Sequence, residues 1–486
     1  MPNGSPEARV PTISPVNGTR SDAPTVLVMA AGEGTRMRSS LPKVLHAVCG
    51  RPMVAWTVIA AREAGAERVA VIVSPDRDLS GGLPAGTETV VQPQPDGTGG
   101  AVRAAIDIVR GAGTVVVLNG DHPLVTAELI CSAVEVHREQ GAAATVITID
   151  RDDPESLGRV VRGADGEFER IVETKHPEGV PAELLAIREV NTNTFVFDGK
   201  LLAEVVAELS TDNAAGEYYI GDTLSLLRDR DERVIAHKVD DLSVNVGVND
   251  RADLARVNAE ARRRILERHM LAGVTVTDPA TTWIDADTEI APDATIEPGT
   301  SVRGRSAVGA GAVVGPNTTL IDTKLGAGVT APHSYLVECE VLDGCEIGPF
   351  AYIRPQTVLR EGAKAGAFVE IKNSDVGEGS KVPHLSYVGD AEIGPDANLG
   401  AGAITANWDG FEKHRTVIGA HSRIGVDTAL VAPVTIGDSA YTGAGSVIAE
   451  DVPEGALGIS RPPQENVDGF AERKAKQAGP DQETGS

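Results

Sequence analysis

From about Ile284 to Ile448 an aliphatic side chain returns at every sixth position. The longest run is Ile284, Ile290, Ile296, Val302, Val308, Val314, Leu320. The period reappears at Ile347, Ile353, Leu359, Ala365, Ile371, and again at Ile424, Leu430, Ile436, Thr442, Ile448. Gly follows the apolar residue repeatedly, as in Ile347-Gly348, Ile393-Gly394 and Ile436-Gly437. Such a period suits neither the ~3.6-residue helical repeat nor the two-residue alternation of a long strand. It predicts a parallel β-helix, in which three short strands and three turns make one coil. The apolar residue then points into the prism, and stacked coils build ladders at the ~4.8 Å strand spacing.

Upstream the pattern changes. Val26-Leu27-Val28-Met29 is strand-like and runs into Ala30-Ala31-Gly32-Glu33-Gly34-Thr35-Arg36-Met37. Helical spacing follows over Met53–Ala64, strands near Val69–Val73 and Glu88–Val91, a helix over Gly99–Arg110, and a strand at Val115–Leu118. Alternating strands and helices predict a mostly parallel, three-layer α/β sheet, a Rossmann-like domain over residues 25–250. One helix over Arg251–Ala272 places Leu254, Val257, Ala261, Ile265, Leu266 and Met270 on one side and ends at Gly273. It reads as an arm (251–273) joining the sheet domain to the repeat (274–461). Residues 1–24 read as a disordered leader and 462–486 as a flexible tail, being polar and without apolar period.

At 486 residues the chain is too long for one ordinary core, which agrees with two domains. Asp plus Glu number 70 against 44 Lys plus Arg, so the net charge is −26 and no nucleic-acid or membrane partner is expected. Aromatics at 3% suit a prism filled with small aliphatics. The cysteines Cys49, Cys131, Cys339 and Cys345 make no CxxC pair. Cys339 and Cys345 share the hexad register and read as reduced core residues rather than a disulfide or metal site. The longest apolar run near the N-terminus, Thr25–Ala31, is too short for a signal segment or a membrane span, so a cytoplasmic location is expected.

Ligands of open α/β sheets bind beyond the carboxyl ends of the strands, and two candidate motifs sit there. In the first, Gly32 and Gly34 let backbone N–H groups approach a phosphate, with Arg36 and Lys43 adding positive charge. It is neither a Walker A sequence nor a full G-x-G-x-x-G, since Arg38 stands where the third Gly would. Taken alone it reads equally well as a tight turn. In the second, Asp121 ends an apolar strand in Gly120-Asp121-His122-Pro123, suited to holding Mg²⁺ against phosphates or, as plainly, to capping a turn. His122 is treated as a loop residue, because His is a poor Mg²⁺ ligand.

The sequence A-A-G-x-G-T-R-M followed by Pro42-Lys43 resembles the signature of sugar-nucleotide pyrophosphorylases, which transfer a nucleotidyl group from an NTP to a sugar 1-phosphate. The resemblance implies that Ala30, Ala31, Gly32, Arg36 and Lys43 serve the nucleotide phosphates and that Asn249 joins Asp121 at the metal. Gln92, Gly97 and Thr98 resemble a uracil-reading loop, and Gly158, Glu173 and Asn191 resemble amino-sugar contacts. Gly216-Glu217-Tyr218-Tyr219 is shared as well and implies packing behind the sugar. Three positions depart from the family: Gly100 replaces His, Asp96 an apolar residue, and Asn193 a Gly.

The hexad rule lapses between about Lys372 and Val417, and interruptions of a regular scaffold are where function sits. The pattern breaks over Lys381–Asp390 and again at Asn407-Trp408-Asp409-Gly410-Phe411-Glu412-Lys413, long enough for a loop. His384 there is by default a surface residue. Arg354, Lys372 and Lys413 nevertheless supply cations suited to a phosphate or to coenzyme A, and Glu370 is expected to orient an imidazole.

With these residues the resemblance covers Thr25 to Gln464. The chain resembles the bacterial family of bifunctional N-acetylglucosamine-1-phosphate uridyltransferases and glucosamine-1-phosphate acetyltransferases. That family implies a left-handed β-helix, Mg²⁺, UTP and acetyl-CoA as co-substrates, and a homotrimer. It implies His384 as the base for the sugar amine, with Arg354, Lys372, Tyr387 and Asn398 around the sugar phosphate. Ala401, Asn407, Trp408, Val426, Ala444 and Arg461 fall on acetyl-CoA positions. Trp408 replaces Tyr and keeps an aromatic wall, whereas Val426 replaces Ser and removes a hydroxyl. Two rivals remain: a single-activity pyrophosphorylase with an inert repeat, and a scaffold built on a decayed transferase.

Overall fold

The computed structural model describes residues 23–154, 156–174, 178–212 and 216–478, with only the backbone of Ser243 and Asn245. Residues 1–22 of the expected leader and 479–486 of the expected tail lie outside that set. The chain forms two compact units. Among the described residues the first runs to Glu267 and takes in Asp285–Asp287, and the second comprises Arg268–Ile284 and the residues from Thr288 onward.

The first unit is built on a twisted sheet whose strands run in the spatial order 234–238, 144–150, 189–198, 114–119, 25–29, 68–73, 88–91. Neighbours pair in parallel, except that Glu189–Asp198 runs antiparallel to both Thr114–Asn119 and Ala144–Asp150. A hairpin of Arg159–Arg162 and Phe168–Val172 hangs from the same strand. Consecutive apolar residues are required because helices cover both faces. Leu27, Ile72, Val115, Val117, Phe195 and Phe197 fill one layer, and Val26, Val28, Val71, Val116, Leu118 and Val196 the other. The helix expected over Gly99–Arg110 is two, Thr98–Ala104 and Ile106–Arg110, parted at Ala105 where ψ is 18°. The arm helix runs Arg251–Leu271 and buries Val257, Ala261, Ile265 and Leu266. Met270 does not belong to that side: it is 39% exposed, and His269 is buried in its stead.

The second unit is a parallel β-helix whose strands stack into three sheets of 11, 10 and 9. Every third strand pairs in parallel, so Ile296 lies against Val314 and Val302 against Leu320. The inner column is buried, and each buried Ile, Leu or Val contributes roughly 1.5–3 kcal/mol. The hexad appeared to lapse after Leu320 because corners shorten. Leu320 pairs with Leu336 and Leu325 with Val341, sixteen residues on rather than eighteen. The prism likewise does not break at Lys381–Asp390, contrary to expectation. Lys381–His384 and Tyr387–Gly389 are regular strands, and Val376, Val382, Val388, Ile393 and Leu399 continue the buried column. The true insertion lies between Thr405 and Thr416, where Ile393 pairs with Ile418, twenty-five residues on. Cys339 and Cys345 are free and buried, as expected, and burial pushes their thiols up to about 12 and about 11. Within the expected tail, Phe470–Ala478 is a helix. Among the described residues no helix is long and apolar enough to cross a membrane.

Candidate active sites

In the first unit, parallel pairing of Met29 with both Ile72 and Asn119 brings the loops after three strands to one edge of the sheet. Gly120 N–H donates to the Met29 carbonyl at 2.9 Å, and Ala30 N–H to the Ile72 carbonyl at 2.9 Å. These bonds fix Ala30 and Ala31 beside Asp121. Gly34 has φ 64°, and a Cβ there would lie 2.5 Å from Lys43 Cβ, so glycine is what lets the lysine cross the loop. Gly32 is exposed with open space around it.

Lys43 Nζ forms an ion pair with Asp121 Oδ2, both side chains mostly buried. Burial opposes ionisation of the Asp121 carboxyl, but adjacent His122 and Lys43 outweigh it and hold the acid below its usual range. Asn249 arrives from far along the chain because Val248 N–H donates to the Asp121 carbonyl at 3.0 Å. Arg36 Nη2 donates to Asn249 Oδ1 at 2.9 Å. Lys43, Asp121, Arg36 and Asn249 thus form one cluster of alternating charge and amide. Among the described residues no group of three or more His, Cys, Asp and Glu could hold a metal ion.

The residues expected to read the base meet on the same edge. Gln92 follows the strand Glu88–Val91, and its N–H donates to the Val73 carbonyl at 2.9 Å. Gly97 has φ 99°, and a Cβ there would lie 2.6 Å from the Tyr218 carbonyl oxygen. Thr98 starts a helix and accepts from Ile220 N–H through Oγ1 at 3.0 Å. The Gly216–Tyr219 segment therefore packs on this loop.

The residues expected to contact the sugar also meet. Asn191 N–H donates to the Gly158 carbonyl at 2.9 Å, and a Cβ on Gly158 would lie 3.1 Å from Glu173 Oε1. Asn193 has φ 57°, the left-handed region in which Asn is tolerated where Gly is usual. Its N–H donates to Asn191 Oδ1 at 2.7 Å, so this departure keeps the loop and orients Asn191.

In the second unit His384 ends the strand Lys381–His384 and is exposed. Coil stacking sets Glu370 against Tyr387 and Ala367 against His384. Glu370 does not orient the imidazole as expected. Its Oε1 accepts from Arg354 Nη1 at 2.7 Å, and its strand belongs to the 10-stranded sheet whereas that of His384 belongs to the 11-stranded one. Lys372 stands beside Lys413, whose ammonium it pushes down. Asn398 opens the strand Asn398–Leu399 and is half-buried.

One site residue was missed from sequence. Asp390, 7% exposed with φ 51°, accepts from Asn373 Nδ2 and Asn407 Nδ2 together. Burial pushes its carboxyl up, but those two amides and the charges of Lys372 and Lys413 hold it below the usual range. The only sequence signal was an acid immediately after the strand residue Gly389.

The acetyl-CoA candidates spread along neighbouring coils. Ala401 O accepts from Asp427 N–H at 2.8 Å, and Ala444 O from Arg461 Nη1 at 3.0 Å. Asn407 is buried, whereas Trp408 and Val426 are 56% and 48% exposed.

An α/β sheet with a cationic, carboxylate-bearing loop cluster, joined in one chain to a parallel β-helix that carries an exposed histidine and a pair of neighbouring lysines, is the build of a two-unit transferase. Residues 26–215 match the MobA-like NTP transferase domain. Over nearly its whole length the chain is similar to proteins named bifunctional protein GlmU. The relative from Streptomyces avermitilis is 46% identical across 92% of this chain and 94% of its own. That from Kineococcus radiotolerans is 47% identical across 92% and 91%, and that from Clavibacter sepedonicus 46% across 94% and 93%. The chain belongs to the GlmU family of bifunctional enzymes.

Proposed function

We propose that the protein makes UDP-N-acetylglucosamine in two steps, acetyl transfer over residues 274–461 and uridylyl transfer over residues 25–250. The observation that carries this reading is that one chain of this family holds both side-chain sets, each in its own folded unit.

In the first step His384 takes a proton from the 2-amino group of glucosamine 1-phosphate. The free amine then attacks the thioester carbonyl of acetyl-CoA, and the coenzyme leaves as its thiol. An imidazole positioned as a general base suits this, since an ammonium cannot attack. Arg354 and Lys372 hold the sugar phosphate, with Tyr387 and Asn398 closing the pocket. Ala401, Asn407, Trp408, Val426, Ala444 and Arg461 receive the coenzyme.

In the second step a phosphate oxygen of N-acetylglucosamine 1-phosphate attacks the α-phosphorus of UTP, and pyrophosphate leaves. Arg36, Lys43 and the amides of Ala30–Gly32 take up charge on the transferring group. Gln92, Gly97 and Thr98 receive the base, and Gly158, Glu173 and Asn191 the amino sugar. Asp121 and Asn249 supply one carboxylate and one amide oxygen, a donor set that fits Mg²⁺ completed by substrate oxygens. A bound Mg²⁺ would neutralise phosphate charge there.

We infer a homotrimer formed by the β-helix. His333, Phe350, Phe368 and Leu385 stack on one corner, with Phe350 and Phe368 ring centroids 5.1 Å apart, and the last three residues are more than half exposed. Bulky side chains with positive φ along an exposed corner suit burial against a second copy. His384 adjoins that corner, so the acyl site is shared between subunits.

A coupled assay tests the scheme. His384→Ala should lose acetyl transfer by about 10²- to 10⁴-fold while uridylyl transfer from supplied N-acetylglucosamine 1-phosphate persists. An active His384→Ala enzyme would remove the assigned base.

A further inference from the structure

Gln92 is 5% exposed, and its Nε2 donates to Asp96 Oδ1 at 2.7 Å and to the Gly97 carbonyl at 3.1 Å. A primary amide has two N–H donors and one carbonyl acceptor. Both donors are spent, so Oε1 is what remains to meet a ligand. The backbone holds Asp96 in turn. Its N–H donates to the Gln94 carbonyl at 2.9 Å, and its carbonyl accepts from Tyr218 N–H at 2.8 Å.

The carboxylate has room because residue 100 is glycine. A Cβ there would lie 1.8 Å from Asp96 Oδ1 and 2.3 Å from its Cγ. Any side chain at 100 would expel the carboxylate, so the two family departures at 96 and 100 are one coupled change.

We propose that Asp96 is a positioning residue that sets nucleobase choice, by fixing the Gln92 amide so that it presents an acceptor alone. This rests on the reading that Gln92 meets the base. An acceptor there pairs with the imide N–H that uracil carries at N3. Cytosine has a bare acceptor at N3, so two lone pairs would face each other with no proton between them. Buried polar groups left unpaired reject a ligand strongly.

The test compares kcat/KM for UTP and CTP in the full-length protein, with melting curves as a check on folding. Asp96→Leu should lower the UTP-to-CTP ratio about tenfold, the worth of one hydrogen bond, through KM with kcat for UTP unchanged. Asp96→Asn, which keeps an oxygen acceptor, should restore the ratio. Asp96→Ala serves in place of the leucine variant if that one does not fold. A ratio unmoved by Asp96→Leu and Asp96→Ala, where Gln92→Ala lowers it, overturns the role of Asp96 and leaves the base contact standing. A ratio unmoved by Gln92→Ala overturns the base contact, and the proposal with it.

Discussion

Asp390 grips Asn407 across the only long insertion seen among the described coils, its Oδ2 accepting from the asparagine Nδ2. The loop that starts at Asn407 is therefore anchored to the prism at its first residue. It is anchored at the other end too, where Thr416 N–H donates to the Asp390 carbonyl at 3.2 Å.

Asp390→Ala should loosen the loop and raise KM for acetyl-CoA by tenfold or more. Two amides lose their acceptor, each at a cost of about 1–3 kcal/mol. Uridylyl transfer by the same preparation should be unchanged. A thiol-release assay reads the first effect and a pyrophosphate assay the second.

Lys43→Ala and Asp121→Ala should each abolish pyrophosphate release by about 10²-fold or more, as loss of charge compensation on a transferring phosphoryl group does. Acetyl transfer should continue in both. Wild-type uridylyl turnover in either variant would take that residue out of the mechanism.

The surface of the first unit was legible in its motifs, less so in its couplings. Gly32, Arg36, Lys43 and Asp121 could be read because loops after parallel strands must gather at one edge. That Arg36 reaches Asn249 depends on a hydrogen bond between Val248 and Asp121, which no spacing encodes. The steric exclusion between Asp96 and Gly100 was equally hidden, since each looked like an independent departure. In the repeat, the inner column was readable wherever corners kept their length. It was lost where Leu320 steps to Leu325 and Ile371 to Val376, because a corner one residue shorter shifts the count without moving the side chain out of the core.

Acid should destabilise the first unit through His137. Burial lowers this histidine from 6.5 to about 4, and its Nδ1 lies 3.0 Å from Thr145 Oγ1. The unfolded chain takes up the proton first as pH falls, so stability is lost between about 6.5 and about 4. The full effect is on the order of 3 kcal/mol. Melting temperatures of wild type and His137→Gln at pH 7.5 and 5 should show a shallower pH dependence in the variant.

Phe368→Glu should break the proposed trimer. Phe368 is 59% exposed in one chain and stacks on Phe350, so a charge there would be buried against a neighbouring copy at several kcal/mol. Light scattering should show smaller particles, and acetyl transfer should fall with them while uridylyl transfer holds. A trimeric, fully active variant would place the contact elsewhere.

The insertion between Thr405 and Thr416 leaves the prism from the 10-stranded sheet and rejoins it in the 9-stranded one, where Ile418 pairs with Ile393. Coils below and above it keep their partners whatever its length, since each strand answers only to the coil next to it. The loop is thus a socketed part, and its ends define the junctions at which it can be exchanged for the corresponding loop of another acyltransferase. With the coenzyme received at Asn407 and Trp408 as proposed, such an exchange should change the choice of acyl donor without re-registering a single strand.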